Sequence, residues 1–91
     1  MAKIRMDTGD ARSAQRSIKN VANDVNNILQ TTTNVVSSMH PMWVANSANE
    51  FFELYNEWRR QTLQVVREIN EMERRLDSEI DSYEEMARRL G

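Results

Sequence analysis

The chain's one proline, Pro41, falls between two long segments whose apolar residues recur at heptad spacing, and this limits the fold more than any other feature. A helix that runs into proline loses a backbone donor, and the residue before it, His40, is pushed away from helical geometry. With only two glycines and no alternating apolar runs, strand signals are absent. The expectation is an all-α antiparallel two-helix hairpin forming a single domain over residues 1–91. Helix 1 is placed at about residues 8–39, the turn at 40–46 and helix 2 at about 47–90.

In the first segment one column runs Ala11, Ile18, Val25, Thr32, Met39 and a second runs Ala14, Val21, Ile28, Val35. These are the a and d positions of a heptad, and a third column, Ala22, Leu29, Val36, widens the stripe at e. The second segment repeats the arithmetic. Phe52, Val66 and Ile80 lie at a, and Tyr55, Thr62, Ile69, Leu76, Tyr83 and Leu90 lie at d. Phe51, Trp58, Val65, Met72 and Met86 lie at g, while Arg59, Glu73 and Glu79 interrupt the stripe.

A narrow seam serves one neighbour, whereas a three-column stripe can serve two. The sequence therefore points to a four-helix bundle formed as a dimer, with a core and dimer seam of Val21, Ile28, Val35, Phe51, Phe52, Tyr55, Trp58, Val65, Ile69 and Met72. A charge placed at Val21 or Val65 is expected to unfold such a seam. Small size and the lack of any cysteine to staple the fold also favour self-association.

End signals agree with this division. Asp7 and Asp10 supply an N-cap and a first-turn acid for helix 1. Ser47 and Glu50 read as an S-x-x-E capping box for helix 2. Asn20, Asn23, Asn26, Asn27 and the run Thr31–Thr33 are poor helix formers, so helix 1 depends on its partner. Glu71 with Arg75, Glu84 with Arg88 and Glu85 with Arg89 are spaced for surface ion pairs on helix 2. At ~1.5 Å per residue the helices span roughly 48 and 66 Å, which leaves the last dozen or so residues as an overhang. Ile80, Tyr83, Met86 and Leu90 lie on it at helical spacing, as a helix-in-groove recognition segment does.

The charge balance excludes some partners. A net charge of -2 supplies no basic face for nucleic acid. The halves differ in sign, with five basic and three acidic residues up to Asn46, then seven and eleven. No run approaches the ~20 apolar residues of a membrane span, and the charged start MAKIRMDTGD does not read as a signal peptide.

Catalytic chemistry is not expected. His40 is the one histidine, without cysteine or a carboxylate at ligand spacing, so no metal, cofactor or general-base role is assigned to it. Ser37 and Ser38 have no positioned base. Trp43 lies close in sequence to Phe51, Phe52, Tyr55 and Trp58 and reads chiefly as the cap that closes the hairpin end.

The run Trp43-Val44-Ala45-Asn46-Ser47-Ala48-Asn49-Glu50-Phe51, central in the chain with a helix on each side, resembles the Trp-x-Gly (WXG) family of ESAT-like proteins. These are small helical hairpins exported by type VII secretion systems. The turn motif is Trp43, Val44, Ala45, with Ala45 where the family has glycine, which implies helical or extended backbone there. The family's export signal pairs a tyrosine with an acid four residues later, and here Tyr83 is followed at that spacing by Ala87.

The resemblance implies a non-enzymatic secreted protein, a substrate or associated component of a type VII system. It would lack a cleavable signal peptide and be cytoplasmic before export. A homodimer, a heterodimer with another WXG-like chain, and a secretion ATPase are the implied partners. The tail residues Ile80, Tyr83, Met86 and Leu90 would carry secretion recognition. The alternative is an intracellular helical adaptor or assembly subunit that is not secreted.

Overall fold

In the computed structural model, which describes residues 5–90, helix α1 spans Thr8–Met39 and helix α2 spans Asn46–Leu90. A single 3-10 turn, His40–Met42, follows α1, and no strand occurs among the described residues. Ahead of α1 the chain is described only from Arg5.

Asp7 starts α1 in extended geometry, and its Oδ1 accepts the Asp10 N–H at 3.0 Å. That bond satisfies one of the donors a helix start leaves open. Within the weak threonine run, Thr32 and Thr33 each donate a hydroxyl at 2.8 Å to the carbonyl four residues back, a bond that adds no helix stability, so the run depends on α2.

Two end signals work differently from the sequence expectation. His40 keeps helical backbone angles (φ -52°, ψ -48°). Proline suits the first turn of a helix, so the chain tightens into the 3-10 turn at Pro41 and leaves it at Trp43, which is extended at φ -140°, ψ 105°. At α2, Ser47 is not the cap. The helix begins at Asn46, and the Ala45 carbonyl accepts the N–H groups of Ala48 (3.1 Å) and Asn49 (3.2 Å), so Ser47 is already inside the first turn. Ala45 keeps a negative φ, as does every other described residue.

The helices lie side by side in a body of 68 × 23 × 16 Å, one helix thick. Where they meet they bury Ala22, Leu29 and Val36 of α1 and Ala48, Phe52, Val66 and Ile80 of α2. The seam is thereby divided between two edges of each stripe. On α1 the e column is the hairpin core, and the d column of Val21, Ile28 and Val35 is 50–58 % exposed. On α2, Trp58, Val65 and Met72 are likewise exposed, Ile69 and Tyr55 are half-buried, and the a column carries the contact. A heptad pattern identifies the stripe, while the crossing of the two helices selects which edge of it is covered.

Candidate functional site

Three features have the construction of a site, and the first is the closed end. Val36, Ala48 and Phe52 form its buried centre, with Met39, Trp43, Phe51 and Tyr55 packed around them. Trp43 lies 5.5 Å from the Phe51 ring and 6.2 Å from Phe52, and Phe51 meets Phe52 edge-on at 5.6 Å. These separations suit aromatic packing. His40 stacks on Phe52 at 3.7 Å, a contact that the sequence reading of His40 as a bare turn residue missed. Tyr55 hydrogen-bonds the Thr33 hydroxyl across the helices and packs on Trp58 at 5.9 Å, so Trp58 belongs to a second aromatic pair apart from Trp43. Of the turn motif, Trp43 is half-buried, whereas Val44 and Ala45 are exposed.

The second feature is an uncovered apolar face. On α1 the exposed column (Val21, Ile28, Val35) lies roughly a quarter turn behind the covered one in the sense of helix rotation, and on α2 the exposed column (Trp58, Val65, Met72, Met86) does the same. Antiparallel helices with equal offsets present both columns on one side of the hairpin. The result is a ridged apolar strip along most of the molecule, larger than the scattered apolar residues normal on a monomer surface.

The third feature is a polar clasp at the open end. Arg12 donates to Asp77 at 2.6 Å, to Asp81 at 2.6 Å and to Glu84 at 3.3 Å, and its guanidinium is also held by Gln15 at 2.8 Å. The Gln15 amide reaches Glu73 at 2.7 Å and Asp77 at 3.0 Å. Donation from Arg12, then from Gln15, lowers the Asp77 pKa from its ordinary carboxylate value, and Lys19 adds a weaker attraction. Arg12 in turn is held still more firmly protonated, chiefly by Asp81 and Asp77. Arg12 on α1 and Asp77, Asp81 and Glu84 on α2 lie ahead of the covered columns, so the ion pairs of the clasp sit on the side of the hairpin opposite the apolar strip.

The clasp redraws the tail. Ile80 is fully buried at 0 % exposure, because α1 reaches far enough to cover it, and it is not part of an overhang. Tyr83 is half-buried, while Met86 and Leu90 remain exposed. An open groove of about 650 Å³ lies between Arg5, Met6 and Thr8 and the last turns of α2. Of the expected surface pairs, Glu85 with Arg89 forms at 3.4 Å, while the other two are rearranged: Glu84 turns to Arg12, Arg75 pairs with Glu79 at 3.1 Å, and Glu85 also holds Arg88 at 2.5 Å. The clasp was not legible in the sequence, since Arg12 and its three acids lie 65 to 72 residues apart.

Residues 3–86 match the family described as proteins of 100 residues with WXG. The chain belongs to the WXG100 family. As a WXG100 protein it is a small ESAT-like chain of the kind associated with type VII secretion. In this WXG100 chain the motif reads Trp43-Val44-Ala45, and the negative φ of Ala45 shows that the turn forms without glycine's freedom. Comparison with curated proteins and comparison with solved structures each gave no match. Among the described residues no helix is long and apolar enough to cross a membrane, and no group of three or more His, Cys, Asp or Glu side chains could hold a metal ion.

Proposed function

We propose that this WXG100 protein is a non-enzymatic substrate or associated component of a type VII secretion system, exported as a folded dimer. The observation that carries the dimer is the one-sided apolar strip of Val21, Ile28, Val35, Trp58, Val65 and Met72 on a hairpin only one helix thick. Stable domains pack at least two layers around a core, and a second hairpin laid on this strip supplies the missing layer. An identical chain is the simplest occupant, because one strip placed on its own copy by a two-fold axis is self-complementary. A second WXG-like chain is the heterodimeric version. The closed aromatic end acts as the structural cap of each hairpin.

Recognition by a secretion ATPase is assigned to the exposed end of α2, where Met86 and Leu90 project beyond the clasp beside half-buried Tyr83. The last five residues of α2 are all exposed, so their removal is expected to spare the bundle. Deleting residues 86–91 is expected to leave the dimer intact by light scattering while the protein disappears from cell-free culture supernatant. Undiminished export of the truncated chain would refute the assignment. Ala87, standing where the family signal has an acid, supports the second reading, a non-secreted helical adaptor. Absence of the full-length protein from supernatant when the secretion system is active would decide for it.

A further inference from the structure

The two ends of the hairpin are closed by opposite chemistry. The turn end is shut by Val36, Ala48, Phe52 and the rings around them, with no buried charged or polar residue in the core. The open end is shut by one guanidinium shared among carboxylates, and on the same turns of α2 lies Ile80, the most deeply buried large side chain among the described residues. Asp77, Asp81 and Glu84 are placed three residues before, one after and four after Ile80, so Arg12 reaches across the turn of α2 that carries it. Ile80, Tyr83 and Leu90 lie along one ridge of α2 at helical spacing, with Ile80 buried, Tyr83 half-buried and Leu90 exposed.

We propose that the Arg12 clasp is an autoinhibitory latch: while it is closed Ile80 is withheld from the C-terminal apolar ridge, and when it opens the ridge runs unbroken from Ile80 to Leu90. This deepens the assignment of the α2 end as a recognition segment and rests on it, although the latch is tested without any secretion readout. Three properties of the clasp suit the role. Its groups are partly solvated, so they exchange partners with water or with another charged surface at low cost, unlike a buried pair. It lies on the face opposite the apolar strip, so the latch stays accessible when a second hairpin covers that strip. Its single cation serves several acids, so removing the Arg12 side chain undoes three ion pairs at once and leaves only the Gln15 bonds to Glu73 and Asp77 across the helices there.

The natural chain has no cysteine, which makes a single introduced thiol a clean probe. Ile80→Cys reports the latched site, and Val36→Cys, at the apolar end, reports global opening. In the full-length protein at neutral pH, adding Arg12→Met is expected to speed labelling of the Ile80→Cys thiol on the order of tenfold or more and to leave the Val36→Cys rate unchanged. Equal acceleration at both positions would show that Arg12 stabilises the whole hairpin and would overturn the latch. No acceleration at either would show that Ile80 is held without Arg12, and would overturn it as well.

Because Ile80→Cys trims a buried side chain, amide hydrogen exchange on the cysteine-free protein provides the second measurement. Arg12→Met should lower protection across residues 77–84 and spare residues 48–55. Local opening combined with normal export of the 86–91 deletion would refute the recognition segment and with it the inhibitory role of the clasp, whereas loss of export without local opening would refute the latch alone.

Discussion

Ile28 and Leu29 are neighbours on one helix with nearly equal side-chain volumes, yet Leu29 is 6 % exposed and Ile28 is 58 % exposed. Replacing each with alanine therefore separates the hairpin core from the face assigned to a second chain. Leu29→Ala removes a side chain packed inside the hairpin and should cost about 2–5 kcal/mol, the range for buried leucine truncation. Ile28→Ala should cost a single hairpin little, since much of the side chain already meets water and alanine's better helix propensity returns up to ~0.7 kcal/mol.

Across a dimer the balance changes. Full burial of an isoleucine is worth roughly 1.5–3 kcal/mol, so covering the remaining half yields about 1–2 kcal/mol per chain. A two-fold interface contains the residue twice, so Ile28→Ala should weaken association by about 2–4 kcal/mol, a rise in Kd of roughly 30- to 900-fold. Sedimentation velocity over a dilution series measures the Kd, and urea unfolding followed by far-UV circular dichroism at several protein concentrations measures stability. Leu29→Ala should lower the unfolding midpoint at every concentration, and Ile28→Ala should act through dissociation. Equal, concentration-independent losses for both variants, or an Ile28→Ala Kd within about threefold of the parent, would refute the assignment of the two columns.

Two further outcomes follow from the same geometry. Val65→Glu puts a carboxylate on a residue that is 45 % exposed in the hairpin, so it should dissociate the dimer with helical circular dichroism retained at low temperature; loss of helix together with association would place Val65 in the hairpin core after all. Acid should open the clasp before the turn end. Asp77 faces Arg12, Gln15 and Lys19 from α1 and lies among Glu73, Asp81 and Glu84 of α2, and its depressed pKa contributes stability that is present above the ordinary value of 3.8 and lost as pH falls through the lower folded value. Hydrogen exchange corrected for intrinsic rates should thus show residues 77–84 losing protection below about pH 4 while residues 48–55 keep theirs, and Arg12→Met should abolish that difference.

Some of this protein could be read from its residues alone, because the signals are local. Pro41 and the heptad columns on either side of it specify two helices and a reversal, and Asp7 with Asp10 specifies how the first helix starts, since each depends on groups within a turn or two of one another. The width of the stripes, three columns on each helix, also states that each helix has more apolar surface than one neighbour covers. What the sequence left undetermined is which column faces which neighbour.

The columns d and e of α1 are both apolar and differ by about 100° around the axis, so local pattern ranks them equally. Only the packing of α1 against α2 puts Leu29 inside and Ile28 outside. Contact across the hairpin likewise decided the fate of Ile80, which reads as a free recognition residue until α1 is laid over it, and it assembled the Arg12 clasp from acids more than sixty residues away. Periodicity fixes what a helix can bury; the partner's position and the long side chains that bridge to it determine what it does bury.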